Sequence, residues 1–402
     1  MQIITKQQWR RNEGAAITRP LYPLLFAPVP VLSAAVIYIW QIPWWSGFRL
    51  AYLCLFTVGC LLTIFWQPWA KFHRRFPRLA KPLNILTGVM LVFMLLATLI
   101  PALIRDTAPH KAPSGLQAGP DIYFIVLDSY TGSQALLDRF SYDNSAFLES
   151  LQALGFHTGD CRSRYTYTSP ELASIFNGGG EVPTETRTNW RLVQRSLLRT
   201  TLEARGYDTI AFATGYDWDE LHDAAYYLEP DLRGPTEFEL FVLGDPSWDD
   251  QLGKRARTRT LYLLANLDTA ADLPGSQFTF AHIVQPHPPF VFNSDGSPLA
   301  DEILFNPGWD GNSSTSVRYT PENYVSGYVG QAEYISNAIL PPLRLILAKD
   351  PQALIILIGD HGSWYSTSEE EARSTLCAVY GDLPLDPVEA VRKIVNKPAP
   401  VE

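Results

Sequence analysis

Positive charge is short over most of this chain. Residues 106–402 carry 21 Lys and Arg against 40 Asp and Glu. Nucleic-acid binding needs clustered cations facing phosphates, so that class of partner is excluded. A small anionic substrate is not, provided a metal ion or local arginines reverse the field at its site. Cysteine is scarce too, four in 402 residues. Cys54 and Cys60 fall in an apolar stretch, which leaves Cys161 and Cys377. These two could pair in an oxidising compartment. They are expected to be separate, buried thiols, because nothing local brings positions so distant together.

Charge is absent altogether from three apolar stretches, roughly Leu24–Ile42, Leu50–Trp66 and Leu83–Ile104. Each is near the ~20 residues that a bilayer-spanning helix needs. Pro28 and Pro30 fall in the first turns of the first stretch, where a helix tolerates them. Trp40, Trp44, Trp45, Trp66 and Trp69 crowd the ends, as an interfacial belt would. Soluble helices alternate polar and apolar faces and these do not. A cleaved leader would not be followed by two further spans.

The flanking charges set an orientation. Lys6, Arg10, Arg11 and Arg19 precede the first span, and Lys71, Arg74, Arg75, Arg78 and Lys81 fill the second loop. The positive-inside rule puts both in the cytoplasm, and three spans then leave everything after Ile104 outside. The expected organisation is a multi-pass membrane domain over 1–105, a linker rich in Ala, Pro and Gly over 106–120, and an extracytoplasmic domain over 121–402. The localisation that follows is the cell (inner) membrane.

That outer domain alternates strand and helix signals. Strands are expected at Asp121–Leu127, Tyr207–Ala213, Gln277–Val284, Ala353–Ile358 and Thr375–Tyr380. Helices are expected at Asn144–Leu154, Asn189–Arg205, Tyr328–Ala348 and Pro387–Val395. Such alternation implies an α/β fold, a mostly parallel sheet flanked by helices. The polar segment Asn293–Asn323 reads as a surface excursion.

Chemistry collects at the strand ends. The apolar run Ile122–Leu127 delivers Asp128, and Ala353–Gly359 delivers Asp360-His361. Strands of a parallel sheet end in crevices where ligands bind, and Asp and His together can hold a metal ion. Either acid alone is equally well read as a cap or a turn former. Ser169-Pro170-Glu171 reads as a helix start, with Thr168 just before it, where the helix dipole favours an oxyanion. In Pro286-His287-Pro288-Pro289-Phe290 a histidine is held between prolines in an extended loop, placed to donate to a substrate oxygen. His282, inside its strand, reads as a core histidine. Arg162 and Arg164 precede Thr168 and could meet an anionic group.

In order, spacing and strand context, these four segments together resemble the sulfatase-like branch of the alkaline phosphatase superfamily. Within it they are most similar to membrane-anchored enzymes such as lipoteichoic acid synthase and the phosphoethanolamine transferases. The resemblance covers roughly residues 120–395. It implies one divalent metal ion (Mn, Mg, Ca or Zn) held by Asp128, Thr168, Asp360 and His361. It further implies Thr168 as nucleophile, and His287 with Arg162 and Arg164 as substrate-binding groups. Two departures narrow the chemistry. Cys161-Arg162-Ser163-Arg164-Tyr165 lacks the Pro and the final Arg of a Cys-X-Pro-X-Arg motif, which argues against a formylglycine sulfatase. No histidine follows His361, which argues against a full two-metal site.

The expected activity is metal-dependent hydrolysis or transfer of a phosphoester group of an envelope lipid or glycan. The alternatives are a sulfuric ester hydrolase of the same fold, or an inactive membrane-tethered domain that binds a metal or an envelope polymer.

Overall fold

A computed structural model of the chain describes residue 85 and residues 119–183, 186–216, 220–232, 248–299, 320–363, 365 and 368–396. The chain divides into two compact units, Met1–Thr107 and Ala108–Glu402; apart from Ile85, all described residues belong to the second. Among the described residues no helix is long and apolar enough to cross a membrane. The three stretches expected to do so lie outside them, as does nearly all of the expected linker.

Strand β1 (Ile122–Leu127) is apolar at every position and wholly buried. Successive side chains of a strand point to opposite faces, so such a strand needs cover on both sides. Tyr123, Ile125 and Leu127 enter one core, and Ile122, Phe124 and Val126 the other. Burying one large apolar side chain is worth about 1.5–3 kcal/mol, so this double burial fixes β1 at the centre.

After β1 come α1 (Ser133–Phe140), α2 (Ser145–Ala153) and β2 (His157–Arg162), then α3 (Thr168–Phe176), α4 (Thr186–Gln194) and α5 (Leu197–Ala204). Next are β3 (Asp208–Phe212), β4 (Tyr226–Leu228) and α6 (Trp248–Asn266), which leads through a 3-10 turn at Leu267–Asp272 into β5 (Gln277–Ile283). Then follow α7 (Pro321–Ala338), α8 (Leu340–Lys349), β6 (Leu354–Gly359), α9 (Glu369–Arg373), β7 (Ser374–Tyr380) and α10 (Pro387–Asn396).

The seven strands form one sheet in the order β2-β7-β6-β1-β5-β3-β4. From β6 to β4 all neighbours pair in parallel, while β7 runs antiparallel to both β6 and β2. Helices α1, α2, α6, α7 and α8 cover one face, and α3, α4, α5 and α10 the other. The expected mostly parallel sheet between helical layers is therefore what forms.

Several elements differ from expectation for local reasons. The helix expected over Asn189–Arg205 is two helices, because Ser196 is extended and its side chain accepts the Arg199 N–H as a new N-cap. The helix expected over Tyr328–Ala348 starts earlier, at Pro321, capped by Thr320. It also breaks near Ile339, where Pro341 and Pro342 supply no backbone donors. Strand β2 was not expected, since its sequence HTGDCR is polar. As an edge strand it is only partly covered, so nothing forces it to be apolar.

The cysteines also differ. Cys161 and Cys377 are joined in a disulfide, with Cα atoms 5.7 Å apart. Antiparallel pairing sets Gly159 opposite Cys377 and Cys161 opposite Thr375, a diagonal relation on adjacent strands. Sheet topology thus removes the 216-residue separation that made two separate thiols the expectation.

Candidate metal centre

Strands β1 and β6 are neighbours, with Leu127 opposite Gly359. The residues that follow are Asp128 and Asp360-His361, so two strand ends bring three buried ligand groups together. One ligand atom from each lies within 4.8 Å of the others. Gly359 permits this approach, since a Cβ there would collide with the Tyr130 carbonyl.

The two turns lock each other. Ser129 adopts φ 63, a left-handed conformation that costs a non-glycine residue about 1–2 kcal/mol. In it the Ser129 N–H donates to Asp360 Oδ1 at 2.9 Å, and its hydroxyl donates to the Gly362 carbonyl. Asp360 Oδ2 is left buried and accepts no hydrogen bond; it lies 3.6 Å from His361 Nε2. His361 Nδ1 donates to the Gly362 carbonyl at 2.8 Å. With the proton on Nδ1, Nε2 turns a lone pair into the cluster.

Thr168 completes it. Helix α3 begins at Thr168 itself, with extended Tyr167 as N-cap, two residues before the cap expected at Ser169. Pro170 then falls in the first turn, where its missing donor costs nothing. The Thr168 hydroxyl does not cap its own helix. It lies 3.2 Å from His361 Nε2 and 3.5 Å from Asp128 Oδ1. A nucleophile-sized group therefore meets two of the three ligand groups at a helix N-terminus.

Histidines surround Asp128. His282 Nε2 lies 3.2 Å from Asp128 Oδ2, because β5 runs beside β1 with His282 opposite Val126. The His287 N–H donates to the Asp128 carbonyl at 3.0 Å, and the His287 and His361 rings stand perpendicular, centroids 6.1 Å apart. The His287 loop is a tight turn rather than an extended segment, with Gln285–Pro286 and Pro288–Pro289 both cis. Buried Gln331 of α7 holds it, donating to the His287 carbonyl and accepting the Val291 N–H.

Charges reinforce one another here. Burial alone would raise the Asp128 carboxyl, but His287, His282 and His361 together hold it at about 2. Burial disfavours a charged His361, yet Asp360 and Asp128 outweigh it and raise its pKa. Glu171, one turn into α3, is pushed up to about 7, chiefly by burial. Its carboxylate accepts the N–H groups of Arg164 and Tyr165, which pins the loop leading into Thr168.

The donor set fits one divalent cation. Two carboxylates, an imidazole nitrogen with its lone pair inward and a hydroxyl converge, and the orphaned Asp360 Oδ2 is the kind of atom a cation satisfies. Asp128, Asp360, His361 and Thr168 would hold it. These four residues singled out by the sequence come together, and His287 stands beside them. The arginines do not join them. Arg162, two-thirds exposed, faces Glu370 at 4.0 Å, and the Arg164 guanidinium donates to the Gly179 carbonyl. Gln331 was not singled out, Glu171 was read only as a helix-start acid, and His282 only as a core histidine, which it is by burial. For His282 the only signal was a polar residue inside an apolar strand.

No family model matches the sequence, and no curated protein does. Among solved structures the chain is similar to the C-terminal periplasmic domain of EptC from Escherichia coli, at 12% identity over 70% of this chain and 77% of that one, TM-score 0.41. It is also similar to the integral membrane lipooligosaccharide phosphoethanolamine transferase A from Neisseria meningitidis, at 13% identity over 88% and 67%, TM-score 0.43. A third likeness is to the lipoteichoic acid synthase LtaP from Listeria monocytogenes, at 14% identity over 66% and 67%, TM-score 0.40.

Proposed function

We propose that the chain is a membrane-anchored, metal-dependent phosphoester hydrolase or phosphotransferase with Thr168 as nucleophile. The observation that carries this reading is the position of the Thr168 hydroxyl, between His361 Nε2 and Asp128 Oδ1 at the mouth of a helix. Bound among these four residues, a divalent cation would supply Lewis acidity, lowering the pKa of the hydroxyl and offsetting phosphoryl charge.

The chain's own groups then divide the work. Thr168 loses its proton to water, and its Oγ1 attacks phosphorus as the ester P–O bond breaks. The α3 N-terminus faces the charge that develops. His287 gives a proton to the departing alkoxide, which leaves as an alcohol. Water, or an acceptor hydroxyl, then attacks the phosphothreonine. Its oxygen bonds to phosphorus as the P–Oγ1 bond breaks, its proton restores the Thr168 hydroxyl, and the proton first released to water returns to His287. Arg162 is proposed to meet an anionic headgroup, because it is exposed and loosely paired while Arg164 is committed to Gly179.

The three apolar stretches and their flanking charges support a substrate in the envelope, a membrane lipid or glycan. The disulfide of Cys161 weighs against formylglycine chemistry, because its sulfur is already bonded. The test is cleavage of a chromogenic phosphodiester by the full-length protein. Turnover that a chelator abolishes and a divalent cation restores is expected. Metal binding without turnover of any phosphoester or sulfate ester would favour a tethered binding domain instead.

A further inference from the structure

We infer that Tyr328 of α7 is a positioning residue that holds the metal centre in its binding geometry; this rests on the metal-centre reading above. Tyr328 is fully buried and touches none of the four proposed ligands. Its hydroxyl donates to the Ser129 carbonyl at 2.8 Å, accepts the Thr131 N–H at 3.1 Å, and lies 3.1 Å from Thr131 Oγ1. Thr131 Oγ1 in turn accepts the Ser363 N–H at 2.8 Å. The phenol therefore fastens the turn that follows Asp128, and through Thr131 ties it to the turn that contains Asp360 and His361.

The turns it joins are under constraint. Ser129 is one of two non-glycine residues with positive φ among those described. In that conformation its N–H reaches Asp360 Oδ1 while its carbonyl reaches Tyr328. Holding Oδ1 fixes the rotation of the carboxyl group, and so decides where the unsatisfied Oδ2 points. Ser129 Oγ and His361 Nδ1 share the Gly362 carbonyl, so the same fastening sets the direction of His361 Nε2. A strained residue persists only where its surroundings over-determine it, and Tyr328 supplies much of that determination. Partners that orient ligands are worth about 10–100-fold in metal affinity.

The ring itself packs independently of the hydroxyl. It stacks on Phe140 with centroids 4.3 Å apart, so Tyr328→Phe keeps the core filled. Thr131→Val removes the second link in the same way. Tyr130→Phe serves as the comparison, since it deletes another buried tyrosine hydroxyl from the same turn, one that bonds to Ser336 and makes no link between the ligand turns.

The experiment is Mn²⁺ and Zn²⁺ binding to the full-length protein by chelator competition, beside the Tm of each metal-free variant. Wild type and Tyr130→Phe should bind alike. Tyr328→Phe and Thr131→Val should bind about tenfold more weakly than Tyr130→Phe, with a Tm close to that of Tyr130→Phe. Tyr328→Phe binding both ions as tightly as wild type would overturn the positioning role alone. A wild type that binds neither ion would overturn the metal-centre reading, and the positioning role with it.

Discussion

Cys161 and Thr168 stand seven residues apart, and each is the kind of side chain a hydrolase uses as a nucleophile. The fold treats them in opposite ways. Cys161 lies on the edge strand β2 with its sulfur bonded to Cys377 of β7. Thr168 opens α3 with its hydroxyl among Asp128, His361 and, through His361, Asp360. The difference is one of direction. A residue on β2 is spent on strand-to-strand contact, whereas the loop after β2 turns into the crevice at the strand ends. Nucleophile chemistry follows from where the chain points a group, not from the group alone.

The largest effect that would sharpen this contrast is at Thr168. Thr168→Ala should abolish turnover while metal binding persists, because it removes the only proposed nucleophile but one ligand of four. Thr168→Ser should keep measurable activity. Steady-state rates on a chromogenic phosphodiester, with metal analysis of the same preparations, check both. Asp360→Ala should come next, losing stoichiometric metal as measured by elemental analysis. Equal metal in wild type and variant would remove Asp360 from the site. Acid should have a similar but reversible effect. His361 must give up a proton from Nε2 to bind a cation, and its pKa is raised. Metal affinity should therefore fall as pH drops through the titration of His361.

Cys161→Ser is the opposite arm of the comparison. Loss of a disulfide that closes so long a loop should destabilise the domain by about 2–5 kcal/mol, read by denaturant unfolding, and leave the rate per folded molecule unchanged. A full loss of rate in a folded Cys161→Ser protein would reverse the two roles.

The smallest effect is at Glu171. Its carboxyl rises from 4.5 to about 7 on folding, mainly through burial. The folded protein thus holds a proton that the unfolded chain releases. This favours the fold fully below pH 4.5, and the benefit is lost as pH rises through 7. In metal-free protein, Glu171→Gln should flatten that part of the Tm–pH profile. An unchanged slope would show that Glu171 is ionised when buried.

What the sequence disclosed follows the same divide between local and distant causes. Asp128 and Asp360-His361 were legible because each follows a run apolar at both parities, which only a strand covered on both faces explains. Thr168 was legible through Pro170 and Glu171, which mark a helix start. His282 was not, since its role depends on β5 lying beside β1, a fact no local pattern carries. Nor was the Cys161–Cys377 bond, which needs β2 and β7 to pair, and β2 is too polar to announce itself. The arginines show that nearness in sequence does not set where a side chain goes. Arg162 and Arg164 are near Thr168 in sequence, but Arg164 is committed to the Gly179 carbonyl, while Arg162 stays exposed beside Glu370.

The most direct test of the account is covalent. Full-length protein, loaded with a divalent cation and quenched during turnover of a chromogenic phosphodiester, would be digested and its peptides mapped by mass spectrometry. The account predicts a phosphoryl-bearing adduct on Thr168, absent from chelated protein and from Thr168→Ala. An unmodified Thr168, with Thr168→Ala still turning over at the wild-type rate, would contradict it.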